Sequence, residues 1–223
     1  MAAPLFITAT DTDAGKTYVT VALLRALQAS GRAARAIKPV ASGGVGANNP
    51  DLAALLAAQG LSNASAINRY CFAAPLAPQQ AAAAEGTTID ATELIDWCRA
   101  QMRSEEQLLI EAVGGLLVPL ADGFYVADWL DRLPECRVVL VVRCRLGGIN
   151  HMLLTLNELA RRGRMPALIV LNDADGAGEA MVELHRQALA GYASSNISVV
   201  PLFHSADADY ASRRLQVYFI VPE

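Results

Sequence analysis

The sequence predicts an α/β protein with a largely parallel central sheet and helices on both faces. Short apolar runs rich in β-branched residues alternate along the chain with segments whose apolar residues recur at three- and four-residue spacing. Strands that alternate with helices in this way form a parallel sheet, because each helix returns the chain to the start of the next strand. The 223 residues are enough for one domain with its own core, so residues 1–223 are expected to form a single domain.

Composition and charge exclude several classes of protein. With 53% apolar and 18% charged residues, the chain is typical of a globular protein. A net charge of −4 without a basic stripe argues against a nucleic-acid partner. No apolar run approaches the roughly 20 residues that span a bilayer, and no secretory signal is recognisable, so no membrane association is expected. The four cysteines form no C-x-x-C pair, which favours reduced thiols and a cytoplasmic location.

The first strand–helix unit contains the clearest motif. An apolar run over residues 4–9 leads through small polar residues to Gly15-Lys16-Thr17, which opens a helix. Backbone N–H groups and the helix dipole bind phosphate at such a position, while the lysine reaches the terminal phosphates and the threonine ligates Mg²⁺. The match to the strict pattern G-x-x-x-x-G-K-[ST] is imperfect, because Thr10 stands where that pattern has glycine. The alternative to a phosphate-binding loop is a plain strand-to-helix turn with a solvated Lys16. We predict a fold like that of the P-loop NTPases.

The second predicted strand, Ala33 to Val40, carries Lys38 near its carboxyl end. The chain has sixteen arginines and only two lysines, Lys16 and Lys38. Because a compact ammonium suits a phosphate site, both lysines are interpreted as functional residues and not as ordinary surface charges. Pro39 restricts the preceding residue to an extended conformation, and ligands gather at the carboxyl ends of parallel strands. Lys38 is therefore predicted to face the same site as Lys16, with an ordinary lysine at a strand end as the alternative.

Two carboxylates are candidate metal ligands. Asp51 lies in the first turn of a helix that begins at Pro50, where it either favours the helix dipole or faces the phosphate site. Glu111 closes the buried strand Gln107–Glu111, and an acid at this place commonly holds Mg²⁺ in nucleotide sites. A surface carboxylate is the alternative for Glu111. Both acids remain candidates on spacing alone.

The remaining elements follow the same alternation, with boundaries uncertain by a few residues. The region 60–90 is expected to be loop-like, and 215–221 is expected to pack along the sheet or on a partner subunit. The other predicted segments are a helix to about residue 102, a short helix near 126–132, strands at 137–143, 165–171 and 197–201, and helices to about 162 and 190. Asn172 after the strand 165–171 either reads a nucleobase or caps a turn. No histidine pair has metal-ligand spacing, so no zinc site is expected, and His151 is favoured as a structural histidine.

Several of these segments together resemble the dethiobiotin synthase family. They occur in the family's order and cover the chain from about residue 5 to 205. The segment that begins at Lys38-Pro39 and the Gly-x-Ile-Asn-His run are more specific than the phosphate-binding loop, because many families have such a loop. The stretches that carry the resemblance are residues 8–17, 38–43, 111–115 with 119–120, 146–151 and 172–173.

The resemblance implies an ATP- and Mg²⁺-dependent cyclo-ligase of biotin biosynthesis. Such an enzyme carboxylates 7,8-diaminononanoate (7,8-diaminopelargonate) with CO₂ to an N-carbamate. ATP phosphorylates the carbamate to a carbamic–phosphoric anhydride, and the second amine closes the ureido ring of dethiobiotin. Mg²⁺ is the implied cofactor, ATP is a co-substrate, and the family is dimeric, so a homodimer is expected.

The resemblance also implies roles for individual residues. Lys16 is expected at the β- and γ-phosphates and Lys38 between carbamate and γ-phosphate, both as catalytic groups. The implied Mg²⁺ ligands are Thr17, Asp51 and Glu111. The implied ATP contacts are Asp13, Ala14, Gly15, Lys16, Thr17, Tyr18, Asn172, Asp173, Pro201, Leu202 and Phe203. The implied substrate contacts are Thr12, Ser42, Gly114 and, across the subunit interface, Asn150.

Three positions depart from the family's pattern. Ala9 and Ala112 replace glycines, and Ala208 aligns where an acidic residue often lies by the ribose, a contact for which Asp207 and Asp209 are substitutes. The alternative function is a P-loop ATPase switch that binds a macromolecular partner. Such switches commonly carry a second lysine inside the loop, where this chain has aspartates and small residues. An amidating enzyme on the same fold would need an attached glutaminase domain.

Overall fold

The computed structural model describes residues 2–102, 105–192, 197–205, 207 and 209–220. The strands are β1 (Leu5–Ala9), β2 (Ala34–Ile37), β3 (Val40–Ser42), β4 (Tyr70–Phe72), β5 (Gln107–Glu111), β6 (Pro119–Ala121), β7 (Phe124–Tyr125), β8 (Arg137–Arg143), β9 (Leu168–Asn172) and β10 (Ser198–Leu202). The helices are α1 (Lys16–Ala29), α2 (Pro50–Gln59), α3 (Pro78–Ala84), α4 (Ala91–Gln101), α5 (Val126–Asp131), α6 (Gly148–Arg161), α7 (Glu179–Ala188) and α8 (Tyr210–Ile220).

Six strands form one parallel sheet with the order β10-β9-β8-β1-β5-β2. The central strands β1, β5 and β9 are buried along their whole length, which explains why they contain almost only apolar residues. Helices surround this sheet, and the predicted α/β class is confirmed. No helix in the described part of the chain is both long and apolar enough to cross a membrane.

The single strand predicted from Ala33 to Val40 is two strands in two sheets. β2 pairs with β5 in the central sheet, whereas β3 pairs with β4 in a separate two-stranded sheet. The break falls at Lys38-Pro39, where the Lys38 N–H donates to the carbonyl of Ile67 at 2.8 Å. Proline has no N–H to continue a ladder, so the chain leaves the central sheet at this point. Lys38 consequently lies at the end of β2 and points into the site.

The prediction of a loop-like region over 60–90 was wrong in part, because this region contains β4 and α3. In α3, Pro78 occupies the first helical turn and a run of alanines follows. Proline at that position and alanine in the interior both favour a helix. The apolar segment near the end of the chain forms α8, which packs against α1 and the edge strand β10. Leu215 is buried there.

Candidate active site

The phosphate-binding loop lies between β1 and α1, in the middle of the sheet. Gly15 precedes α1 with φ 89°, and a side chain there would collide with the amide of Asn172. Asp13 is the non-glycine residue with a positive φ, 57°, in the described part of the chain. No side chain caps the first turn of α1, every residue of which is described. Its backbone N–H groups therefore remain available to an anion.

Lys38 contacts both of the predicted carboxylate ligands directly. Its Nζ lies 2.6 Å from Asp51 Oδ2 and 2.6 Å from Glu111 Oε1. Thr17 Oγ1 donates to the same Glu111 oxygen at 2.6 Å. Lys38 is 3% exposed and Glu111 is fully buried. Residues from α1, α2, β5 and the β2–β3 junction thus meet at one point.

The protonation of the two lysines follows from their surroundings. Burial lowers the pKa of Lys38, but the carboxylates of Glu111 and Asp51 more than offset this effect and raise it above its ordinary value. For Asp51, burial favours the neutral acid, and the Lys38 ammonium nonetheless holds its pKa below the usual range. Burial, followed by repulsion from Lys38, lowers the pKa of Lys16 to about 8. Lys38 is therefore a permanent cation, whereas Lys16 titrates near neutral pH.

The oxygens at this point suit a hard divalent cation. Glu111 Oε2 is buried and has no hydrogen-bond partner, and the other oxygen is shared by Thr17 and Lys38. The described residues contain no cluster of three or more His, Cys, Asp or Glu side chains that could bind a metal by themselves. Two carboxylates and a hydroxyl match Mg²⁺, which usually keeps water and substrate phosphate oxygens among its ligands.

A cavity of about 770 Å³ extends from the phosphate-binding loop. Its lining contains a polar set and an apolar set of residues, named here the polar wall and the apolar wall, as expected for a pocket that orients a ligand by a few polar groups. The polar wall includes Thr12, Lys16, Thr17, Lys38, Ser42, Asn49 and Asp51. The apolar wall includes Pro75, Leu76, Ala77, Pro78, Val113 and Val118. Of the predicted substrate contacts, Thr12, Ser42 and Gly114 line this cavity.

Ser42 connects the polar wall to the apolar wall, and Asn49 holds Ser42. Ser42 Oγ donates to the carbonyl of Leu76 at 2.8 Å, so its proton is already engaged and an oxygen lone pair remains for a ligand. Asn49 Nδ2 donates to the carbonyl of Ser42 at 3.0 Å. The oxygen of the same amide accepts from the N–H groups of Asp51 and Leu52, both at 3.1 Å.

Asn172 and Asp173 lie at the carboxyl end of β9, on the other side of the loop. Asn172 Nδ2 donates to the carbonyl of Ala14 at 2.9 Å, so this amide holds the phosphate-binding loop. The carboxylate of Asp173 accepts from the N–H groups of Ala177 and Gly178 at 2.6 and 3.0 Å, which shapes the following turn. The contacts of both residues with ATP stay predictions.

The ends of β10 and α1 border the same region. Pro201 and Leu202 belong to β10, and the Phe203 N–H donates to the Tyr210 hydroxyl at 3.3 Å. Tyr18, which lines the cavity, is 42% exposed. Burial, then Tyr210 and Asp207, raise the pKa of Tyr18, so its phenol stays neutral at physiological pH.

Three further predictions concern the departures and the subunit contact. Ala9 and Ala112 are buried and neither has a positive φ, so the backbone at both positions accepts alanine. Ala208 lies outside the described residues, whereas Asp207 pairs with Arg213 and Asp209 lies 3.9 Å from Arg25. Asn150 is exposed in the first turn of α6 and is not among the residues that line the cavity.

Sequence reasoning missed the apolar wall and Asn49. Residues 75–78 of this wall come from the start of α3 and the residues before it, inside the region that was expected to be a loop, and Val113 and Val118 come from the segment between β5 and β6. Asn49 carried a recognisable signal, because asparagine directly before a proline that opens a helix is a favoured N-cap. Its second bond, to Ser42, has no signal in the sequence.

Comparison with known proteins places this chain among relatives with a stated activity. A family model described as an AAA domain matches residues 3–202. The ATP-dependent dethiobiotin synthetase of Methylobacterium nodulans is 41% identical over 187 residues, 78% of this chain and 82% of the relative. The enzymes of Anaeromyxobacter dehalogenans (40% identity, 83% of each chain) and Escherichia coli K12 (37% identity, 80% of this chain and 81% of the relative) bear the same name.

Solved structures with a similar backbone are more distant. Chloroplast FtsY from Physcomitrella patens superimposes with a TM-score of 0.54 at 16% identity, over 94% of this chain and 61% of that protein. FtsY from Elizabethkingia anophelis, solved with GDP, gives a TM-score of 0.51 at 12% identity, over 100% of this chain and 65% of that protein. At such identities the likeness shows the fold alone.

The fold and the site define an α/β protein of the P-loop NTPase type: a parallel sheet with a phosphate-binding loop and two lysines at its carboxyl edge. Within that class, the matched family model and the 37–41% identity over about four fifths of the chain decide the family. The chain belongs to the dethiobiotin synthetase family. This confirms the resemblance found in the sequence and the enzyme class that it implied, an ATP-dependent ligase.

Proposed function

We propose that this protein converts 7,8-diaminononanoate, CO₂ and ATP to dethiobiotin, ADP and phosphate in biotin synthesis. The observation that carries the proposal is Lys38, a buried ammonium 2.6 Å from each of two carboxylates at the mouth of the phosphate-binding loop. A cation held there neutralises charge that builds up between a carbamate and the terminal phosphate of ATP. Membership of the dethiobiotin synthetase family supports the role in biotin synthesis.

In the proposed reaction, the polar wall of the cavity holds the groups that form the carbamate and transfer the phosphate. One amine of the substrate forms a bond to the carbon of CO₂ and loses a proton, which gives a carbamate. In this proposal Thr12 and the free lone pair of Ser42 orient this group beside Lys38, and their position in the cavity lining supports it. The carbamate oxygen then attacks the γ-phosphorus, the bond to ADP breaks, and Lys16 and Lys38 offset the negative charge in transfer.

The last step needs proximity more than a reactive side chain. The second amine attacks the carbonyl carbon of the anhydride, phosphate leaves with the bonding pair, and the amine proton is released as the ureido ring closes. The apolar wall, with Pro75, Leu76 and Val118, accommodates the alkyl chain and keeps both amines at the polar wall. Holding the reacting groups in this way makes the ring closure an intramolecular reaction and so lowers its barrier.

We also propose that Thr17, Asp51 and Glu111 hold Mg²⁺ with the nucleotide. Mg²⁺ would supply charge neutralisation at the phosphate oxygens. The unpartnered Glu111 Oε2 and the hydroxyl of Thr17 on the neighbouring oxygen support this assignment. We propose that the adenine base of ATP binds near Asn172, Leu202 and Phe203, at the carboxyl ends of β9 and β10.

ADP release by the purified protein with MgATP and bicarbonate, with and without the diamine, tests the function. We expect release that depends on 7,8-diaminononanoate, with a ureido product of matching mass. Release that is indifferent to the diamine would overturn the proposal and favour a nucleotide-dependent switch. A diamine with one amine replaced by a hydroxyl serves as the matched control, because it cannot close a ureido ring.

A homodimer is proposed from exposed leucines and from Asn150. Leu146, Leu154 and Leu184 are 89%, 60% and 52% exposed, on the segment before α6, on α6 and on α7. The helices α6 and α7 adjoin each other. Leucines exposed to this extent on neighbouring elements suit a subunit interface. Asn150, in the same part of the chain, would then reach the carboxylate of the substrate bound by the partner.

Mixing two inactive variants tests this arrangement. If Asn150 acts in the site of the partner subunit, a mixture of Lys38→Ala and Asn150→Ala proteins forms heterodimers with one intact site. After subunit exchange we expect recovery of about a quarter of the wild-type activity, since half of the dimers are mixed and each has one intact site in two. No recovery in dimers that have demonstrably exchanged would place Asn150 outside the partner's site.

The cytoplasm is the proposed location. The four cysteines, all described, are free thiols, and Cys98, Cys136 and Cys144 are buried. Burial raises the pKa of the Cys136 and Cys144 thiols to about 12, so these groups remain protonated. Unpaired cysteines of this kind are typical of a reducing compartment.

A further inference from the structure

Asn49 occupies a position that neither the motif nor the proposed chemistry uses. It is 1% exposed, it lines the cavity, and it directly precedes the helix that carries Asp51. Its amide makes three hydrogen bonds, two to the start of α2 and one back to the end of β3. A buried amide whose nitrogen and oxygen both form hydrogen bonds is a rigid connection between two chain segments.

The bond to Ser42 is what distinguishes asparagine from other capping residues. Serine, threonine and aspartate accept from the first N–H groups of a helix as well as asparagine does. Only asparagine among them also offers an N–H that can donate to a carbonyl. The donor of Asn49 reaches the Ser42 carbonyl at 3.0 Å. Asn49 therefore makes one bond in addition to those that cap the helix.

The loop that Asn49 closes contains three glycines in the left-handed region. Gly43, Gly44 and Gly46 all have positive φ values, and the loop runs from Ser42 to the helix start. The amide of Asn49 fixes the two ends of this loop to each other. Asp51, two residues further on, depends on the same connection for the position of its backbone N–H.

We propose that Asn49 is a positioning residue that holds Asp51 in place for the metal–nucleotide complex by tying the start of α2 to Ser42. The chain of contacts runs from the Ser42 carbonyl through the Asn49 amide to the Asp51 N–H, and from Asp51 Oδ2 to Lys38. This inference rests on the proposed binding of Mg²⁺ and ATP. It assigns Asn49 no contact with the substrate.

Two variants separate capping from positioning. Asn49→Ser keeps the acceptor for the helix and loses the donor to Ser42, whereas Asn49→Ala loses both. Asp90→Ala is the matched control, because Asp90 Oδ1 caps α4 with the same pair of bonds, to Thr92 and Glu93, and lies outside the cavity lining. Mn²⁺ binding in the presence of a non-hydrolysable ATP analogue, followed by electron paramagnetic resonance, measures positioning without turnover.

We expect Asn49→Ser to bind Mn²⁺ about tenfold more weakly than wild type, as is usual when a residue that orients a metal ligand is lost. Its Tm should stay within about 2 °C of wild type because the cap remains. Asn49→Ala and Asp90→Ala should both lower the Tm by about 2–4 °C, but only Asn49→Ala should weaken Mn²⁺ binding. Apparent Mg²⁺ requirements in the ADP-release assay should follow the same order.

Wild-type Mn²⁺ affinity in Asn49→Ser would overturn the positioning role. Equal losses of Mn²⁺ affinity in Asn49→Ala and Asp90→Ala would also overturn it. Failure of the proposed function would look different. ADP release would then be indifferent to the diamine in the wild-type protein, while the Mn²⁺ measurement would still rank the variants. A wild-type protein that binds no Mn²⁺ with the nucleotide would overturn the inference together with the metal assignment.

Discussion

The two ends of the candidate site differ in how firmly the fold holds their charges. At the phosphate end, Lys38 and Glu111 are almost fully buried and meet at 2.6 Å. At the proposed nucleoside end, the Asp207–Arg213 pair is 49% and 59% exposed, and Tyr18 is 42% exposed. Exposed ion pairs contribute little, whereas removal of one partner from a buried pair leaves an uncompensated charge. The fold therefore fixes its charges where phosphate charge is proposed to move, and leaves the nucleoside end open.

The largest effect is expected at the buried pair. Lys38→Ala should lower kcat about 10²- to 10³-fold, because it removes the cation that is proposed to stabilise the charge in transfer. Binding of a fluorescent ATP analogue should change less than about threefold, since Lys16 and the phosphate-binding loop remain. Diamine-dependent ADP release and an analogue titration measure the two quantities.

Lys38→Arg is the control for charge, and it should not restore kcat, because a planar guanidinium differs in shape from an ammonium. Circular dichroism shows whether each variant is folded. Wild-type-like turnover in a folded Lys38→Ala protein would remove Lys38 from the mechanism and, with it, the contrast between the two ends.

A smaller effect, on nucleotide affinity, is expected when Lys16 loses its proton. Its pKa in the folded protein is about 8, lowered first by burial. The ammonium attracts phosphate, so nucleotide affinity should fall as the pH rises above 8, to about a tenth of the pH 7 value at pH 9. Binding of the fluorescent analogue between pH 7 and pH 9.5 measures this.

Lys16→Arg should bind more weakly at every pH but without the decline above pH 8, because arginine stays charged. A flat wild-type profile would contradict the assignment. Stability should change in the opposite direction. Between pH 8 and 10.5 the unfolded chain binds the Lys16 proton more tightly than the folded protein, so this residue adds to the free energy of unfolding as the pH rises.

The smallest effect is expected at the exposed pair. Asp207→Ala should change the KM for ATP less than about threefold, because Arg213 already occupies this carboxylate and solvent screens the pair. Steady-state kinetics with saturating diamine provide the measurement, and Asp209→Ala is the matched control. A tenfold rise in the KM for ATP in Asp207→Ala, but not in Asp209→Ala, would place Asp207 at the ribose. The proposed nucleoside end would then depend on a specific charge, as the phosphate end does.

Local patterns predicted most elements, because strands and helices are encoded in the spacing of neighbouring residues. The strand Arg137–Arg143 lies where the sequence placed it, and the helix Lys16–Ala29 begins within a residue of its predicted start. The errors lie in two short regions, and tertiary contacts explain both. The strand around Lys38 is broken by its partners Ile67 and Tyr70, and the 60–90 region acquires β4 because β3 pairs with it.

The sequence by itself determined the α/β class, the phosphate-binding loop and the family. It also placed Lys38, Glu111 and Asn172 at strand ends, where the sites of parallel sheets lie. Each of these conclusions depends on residues that are close together in the chain. Their roles in binding and catalysis stay predictions.

Only the tertiary structure decided that Lys38 contacts Asp51 and Glu111, 13 and 73 residues further along the chain. The same holds for the apolar wall around Leu76 and for the bond of Asn49 to Ser42. The contact between Lys38 and Glu111 depends on the order of strands in the sheet, which places β5 next to both β1 and β2. Residue spacing carries no information on that order, because it specifies elements and not their neighbours.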